Sequence, residues 1–240
     1  MILHRIAQHM KQQHWTGVFI DLAIVVLGVY IGLQANNWNA ARVASQNERF
    51  ILRELRSHLV ADSTTIDNTL KQYHQLDSSS SALLRDLKSG NSRTSAMDTA
   101  FGRAYFFVYF SFHRAGYESL KSQGMDLVGN PELRTEISNA YEQTYPLLEK
   151  AGEFSQHYFM NVMQPYFLTH FENLHVAQSA TPLDYASIEN DHYFRNIIAN
   201  HRDIVRDRYI PFFEHASFAL HHLIASIDKQ LGEPARKYPR

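Results

Sequence analysis

The stretch GVFIDLAIVVLGVYIGL, Gly17 to Leu33, decides how the rest of this chain is read. No other stretch is as apolar for as long, and Asp21 is its only charge. A helix rises about 1.5 Å per residue and a bilayer core is about 30 Å thick, so the run sits at the short end of a membrane span. Trp15 and Trp38 bracket it, as amphipathic rings do at the two membrane interfaces. Residues 15–38 are therefore predicted to be a transmembrane helix, with Trp15 and Trp38 as interface anchors and the lipid bilayer as the first partner. Two other readings compete. A buried core helix would fit the uninterrupted apolar part, Leu22 to Leu33. A cleaved signal peptide would use Arg5 and Lys11 as its basic start, but no A-x-A-like site follows Leu33.

The faces of this helix differ. At about 100° per residue, Gly17, Asp21, Gly28 and Gly32 share one stripe. Gly28 and Gly32 form a G-x-x-x-G pair, and small residues let helix backbones approach closely in lipid, where no hydrophobic drive joins them. Phe19, Leu22, Ile24, Val26 and Tyr30 lie on the other faces and suit lipid. Gly17, Asp21, Gly28 and Gly32 are accordingly predicted to be a helix–helix association stripe. An ionised carboxylate facing lipid at the depth of Asp21 costs on the order of 1–3 kcal/mol. Asp21 thus snorkels to the headgroups or is neutral, or it hydrogen-bonds inside such an interface or belongs to an ion pathway in a larger complex.

The 240 residues fit this anchor plus one soluble domain. A net charge of −1 argues against nucleic acid as a partner, which calls for a basic stripe. There is no cysteine, so disulfides, thiolate nucleophiles and thiolate metal sites are ruled out. Lys and Arg are not concentrated before the anchor: Arg5 and Lys11 precede it, and Arg42, Arg49, Arg53 and Arg56 follow. A short tail before a long domain is nonetheless the usual signal-anchor layout, which favours an extracytoplasmic, periplasmic domain.

Beyond the anchor the pattern is helical throughout. Residues 1–14 carry Ile2, Leu3, Ile6 and Met10 on one side, as a short surface helix would. Leu52, Leu55, Leu59, Ile66, Leu70, Tyr73, Leu76, Leu83 and Leu87 recur at spacings of three, four or seven, and no Gly or Pro lies between Gly32 and Gly90. One helix is expected to leave the membrane and run on for about 80 Å. Its leucine seam fits either the inward face of a bundle or a coiled coil between protomers. Thr64–Thr65 and Ser78–Ser81 are expected to fray or bend it. Thr94 or Ser95 caps a second helix, expected to run through the aromatic Phe101–Phe112 stretch to Gly124. Asn130-Pro131-Glu132 starts a third, reaching about Leu174, which Pro146 and Pro165 should kink or break. A loop at 176–186 precedes a last helix from about Ser187 to Leu231, bent at Pro211. No strand alternation of useful length is read. The fold class is all-α: one N-terminal transmembrane helix continuing into an up-and-down helical bundle at 39–231, with a basic tail at 232–240.

Two blocks of this sequence resemble a known family. IDLAIVVLGVYIGLQANNWN (Ile20 to Asn39) is similar to the membrane anchor of an uncharacterised bacterial family, a domain of unknown function whose members carry an acidic residue and then a run like LVVIGILIALQINNWNE. YESLKSQGMDLVGNPELRTEISNAYE (Tyr117 to Glu142) resembles the family's other recurrent stretch, a Tyr-Glu-x-Leu-Lys-x-x-Gly helix end, a short turn and a Leu-Arg helix. Asp21 stands where the family usually has Glu, and Ala40 where an acid commonly follows. The resemblance implies a bacterial single-pass membrane protein with a helical soluble part. It implies no activity, cofactor or catalytic residue.

Catalytic patterns are weak. Glu172/His175 and Glu189/His192 have the Glu-x-x-His spacing of di-iron bundles, but twelve Glu and fourteen His give about 0.7 such pairs by chance. His215, His221 and His222 could add ligands, although adjacent helix residues point apart. No G-x-S-x-G, H-E-x-x-H or phosphate-binding glycine loop is present. No catalytic residue, metal ligand or cofactor is assigned. The expected function is that of a non-catalytic inner-membrane protein that self-associates as a homo-oligomer or scaffolds a partner membrane protein. The alternative is an extracytoplasmic ligand-binding or sensory bundle signalling through a partner, and a metal-dependent enzyme comes last.

Overall fold

The computed structural model describes residues 15–233, with side-chain environments from residue 19 onward. The expected surface helix at 1–14 and most of the basic tail lie outside the described residues. The chain divides into two compact units between Arg49 and Phe50. Helix α1, Trp15–Ser89, contributes residues to both.

In the first unit α1 is helical throughout and its side chains are almost all exposed. In the second unit its leucine seam turns inward. Leu52, Leu55, Leu59, Ile66, Tyr73, Leu76, Leu83 and Leu87 are all buried, so the 3.6-residue period does what an amphipathic helix requires. The seam is the inward face of the bundle. The Ser/Thr runs do not end α1, because Thr64 Oγ1 donates to the Val60 carbonyl (2.9 Å) and Thr69 Oγ1 to the Thr65 carbonyl (2.9 Å). The helix runs on through these back-bonded hydroxyls, contacts that bend helices more readily than they end them.

Helix α2, Ser95–Ala104, starts where Thr94 accepts a hydrogen bond from the Met97 amide. It does not continue to Gly124 as the sequence reading expects. Residues 105–114 are non-helical, and α3, Ala115–Gln123, follows. The aromatic and β-branched run YFFVYFSF explains the break. Phe110 and Phe112 are buried while Tyr109, Ser111 and His113 are exposed, which is the period of two that suits extended backbone. Gly152 makes room for this segment: a Cβ there would lie 2.9 Å from the Phe110 ring and 3.3 Å from the Val108 carbonyl oxygen.

Asn130 caps α4, Pro131–Asn139, its side chain accepting from the Glu132 and Leu133 amides. Helices α5, Tyr145–Tyr158, and α6, Gln164–His170, extend the same course, joined by π-turns at Ala140–Thr144 and Phe159–Met163. After α7, Tyr185–Asn190, and α8, His192–Ile204, a third π-turn at Val205–Tyr209 leads into α9, Ile210–Leu231. Each π-turn lies just before a proline: Pro146, Pro165 and Pro211. Proline lacks an N–H, and its ring clashes with the carbonyl four residues back. Tyr145, Gln164 and Ile210 instead bond five residues back, to Ala140, Phe159 and Val205. The wider turn absorbs the clash, so these prolines do not break the helices.

A small antiparallel hairpin, β1 Phe171–His175 and β2 Ser179–Pro182, replaces the expected helix end and loop. Its tight turn puts Ala177 at φ 60°, where glycine or asparagine is usual. The hairpin rests on α2 at Gly102, where a Cβ would fall 2.1 Å from the Ser179 amide nitrogen.

The bundle core forms two hydrophobic clusters along α1. One joins residues 51–76 of α1 to the 106–148 region and to 205–231. The other joins Leu83 and Leu87 to α2, the second π-turn, the hairpin and α8. Tyr109, Phe154 and Phe218 lie outside both clusters and face solvent.

Candidate functional site

The residues singled out from sequence lie on the first unit's helix. Asp21, Gly28, Gly32 and Trp38 are all exposed, and a Cβ on Gly28 or Gly32 would meet nothing within 4 Å. Among the described residues nothing thus accounts for glycine at these helical positions, where it costs roughly 1 kcal/mol relative to alanine. Trp15 and Gly17 are helical, and their surroundings lie outside the described side chains. Among the described residues one helix is long and apolar enough to cross a membrane: its best eighteen-residue window has a mean hydropathy of 1.7 and no buried residue.

The second unit holds a polar centre that sequence reasoning missed. Asp62 lies on the buried seam of α1 between Leu59 and Ile66. Its carboxylate accepts from His113 Nδ1 (2.6 Å), the His113 amide (3.2 Å) and the Tyr145 hydroxyl (2.8 Å). Burial, then the nearby Tyr141 and the Asp62 charge, push the Tyr145 phenol far above its ordinary range, so it remains a donor. The His113 ring is half exposed and stacks on His58, with centroids 5.2 Å apart. Arg114 donates to Glu149 (2.7 Å) and to the Tyr141 carbonyl (3.2 Å). The sequence signal was an acid at a core position of a leucine repeat. Asp228, on the buried Leu220–Ile227 face of α9, gives the same signal and pairs with Arg56.

One constellation has triad residue types without triad wiring. Ser217 Oγ donates to Asp67 (2.5 Å) and His221 Nε2 lies 3.2 Å from the same carboxylate. Serine and histidine each meet the acid, whereas nucleophile activation requires serine to meet the base. Among the described residues no group of three or more His, Asp or Glu is arranged to hold a metal ion. Glu172 and His175 lie on β1, and Glu189 and His192 fall on either side of the α7–α8 break.

His201 is a different kind of buried histidine. It lies beside the Ala104 backbone and stacks on Tyr158 at 5.7 Å, and its buried Nδ1 has no hydrogen-bond partner among the described residues. Complete burial pushes its pKa down to about 4, so it is neutral at ordinary pH. A groove of 440 Å³ beside the third π-turn is lined by Phe154, Asp203, Asp207, Arg208 and Tyr209 among others, and is open to solvent.

No curated protein and no solved structure matches this chain. The family described as "Family of unknown function (DUF6090)" matches residues 21–198, from the acid of the apolar helix to the buried face of α8. That match takes in about three quarters of the sequence, and the chain belongs to this family.

Proposed function

We propose that this chain is a single-pass protein of the bacterial inner membrane whose helical bundle lies on the extracytoplasmic side. There it self-associates or scaffolds a partner membrane complex. One observation carries the reading. Every large apolar side chain from Phe19 to Leu33 is 57% or more exposed, and none of them is buried against the described residues. A contiguous apolar surface of this kind is not stable in water and calls for lipid or another helix. The open space beside Gly28 and Gly32 supports close approach by a second helix, and Asp21 on the same stripe supplies an acceptor there. The bacterial source follows the sequence resemblance.

The test is fractionation of cells expressing the full chain, with alkaline washing of the membranes. Retention in the membrane pellet, with the bundle digested by protease added to the periplasm, is the expected result. An intact chain recovered in the supernatant removes the anchor. Native mass measurement from mild detergent then distinguishes a homo-oligomer from a complex with another membrane protein.

A further inference from the structure

Three helices pass from one hydrophobic cluster of the bundle to the other, and each puts a polar side chain at the crossing. On α1 Ser80 stands between Leu76 and Leu83. Along α5 Ser155 stands between Leu148 and Phe159, and on α8 His201 stands between Ile198 and Val205. All three are 5% exposed or less. Yet Ser80 Oγ, Ser155 Oγ and His201 Nδ1 have no hydrogen-bond partner among the described residues, and neither do the Tyr209 hydroxyl and Asp77 Oδ1. Buried polar atoms are normally paired, so five of the seven exceptions falling in one region of the bundle call for a common cause.

Tyr73 draws part of this set together: its ring centroid lies 5.6 Å from that of Tyr209, and Ser155 lies beside it. The 440 Å³ groove at the third π-turn opens over the same place. Tyr209, only 7% exposed, forms part of its wall. Its other wall residues include Ala151 and Phe154, within about a turn of Ser155, and Asn200 and Ile204, within a turn of His201. We propose that this groove is the mouth of a binding site for small uncharged molecules that both donate and accept hydrogen bonds, held by Ser155, His201 and Tyr209 with Ser80 behind them.

The chemistry of the unpaired atoms selects the guest. A hydroxyl both donates and accepts, and a neutral imidazole nitrogen does one or the other according to its tautomer. Burial keeps His201 neutral and pushes the Tyr209 phenol up to about 12, so neither offers a counter-charge. Asp77, the one acid of the set, faces Arg206. On the groove wall Asp203 is engaged by Arg202 and Arg206, and Asp207 by Arg206. Arg208 is exposed to solvent, where its charge is screened. An ion entering here would shed its hydration without a partner inside. An apolar guest would leave the buried hydroxyls and imidazole unpaired, at the full desolvation penalty of each. A neutral hydroxyl or amide compound avoids both costs, and water shares that chemistry. The site rests on the bundle alone and stands or falls separately from the membrane reading.

Amide resonances of the isotope-labelled full chain in detergent test it with three molecules of one shape: acetamide, acetate and acetamidinium. Acetamide is expected to shift the amides of Ser155, His201 and Tyr209 saturably, and several-fold more tightly than either ion. Water is read in the same samples by its cross-relaxation to these amides. Acetamide shifts assign a small organic guest, and water signals alone assign water. Neither signal, or tighter binding of acetate or acetamidinium, overturns the site. Ser155→Ala removes one hydroxyl and keeps the helix, so it should weaken whichever signal is seen several-fold. A signal unchanged in that variant overturns the site as well.

Discussion

Arg56 and Asp228 meet across the first and last helices of the bundle, and the carboxylate is wholly buried. Arg56 donates from Nε, and its second contact places Nη2 3.3 Å from Oδ2. The pair belongs to an antiparallel series along α1 and the C-terminal end of the bundle: Arg53 with Glu233 (3.4 Å), Asp67 with His221 (3.2 Å) and His74 with Glu214 (3.7 Å). As positions on α1 rise from 53 to 74, their partners fall from 233 to 214. This is the up-and-down register that the helical pattern implied.

Breaking the buried member of that series should be costly. Removing one partner of a buried ion pair leaves an uncompensated charge, typically 3–5 kcal/mol, whereas replacing both by apolar groups of similar volume is near neutral. Asp228→Leu is expected to lower the urea midpoint sharply, and Arg56→Met with Asp228→Leu should recover most of the loss. Arg53→Ala, at an exposed pair, should shift the same midpoint little, by less than about 1 kcal/mol.

His201 sets an acid limit on stability. Its pKa is about 6.5 in the unfolded chain and about 4 in the folded one, so folding favours the neutral ring. The stabilisation is complete above about pH 6.5 and is lost as pH falls through the window down to 4. The full difference is about 3 kcal/mol. Denaturant melts between pH 7 and 4 should show this slope, and His201→Phe should flatten it.

The hairpin should be separable from the bundle by two substitutions of opposite sign. Gly102→Ala places a methyl group on the Ser179 backbone, which cannot yield as a flexible side chain would. The expected cost is about 2 kcal/mol or more, with exchange rising first at residues 171–182. Ala177→Gly relieves a left-handed residue and should stabilise by about 0.5–1 kcal/mol. Thermal melts of the two variants moving in the same direction would contradict this account.

The stripe on the apolar helix should govern assembly and leave folding alone. Gly28→Ile and Gly32→Ile meet open space among the described residues, so the melting of the bundle should not change. If these glycines are the contact between helices in lipid, cross-linking yield in membranes should fall several-fold. Unaltered cross-linking in the double variant would remove them from any interface.

The sequence alone determined the elements that local physics controls. The apolar run from Gly17 to Leu33 and the seam from Leu52 to Leu87 are written in composition and period, because each residue's environment follows from its own polarity and its place on one helix. Thr94 and Asn130 were legible as caps because capping involves only the next three residues. Tertiary structure decided the rest. Residues 105–114 leave the helix because Gly152 and the hairpin offer surfaces that extended aromatics can fill, and both surfaces come from distant sequence. Pro146, Pro165 and Pro211 continue their helices through π-turns, an outcome that depends on packing on both sides of each turn. Asp62 and Asp228 look like flaws in apolar faces until His113, Tyr145 and Arg56 arrive from elsewhere in the chain. A buried charge is stable only beside its partner, and only the folded chain brings the two together.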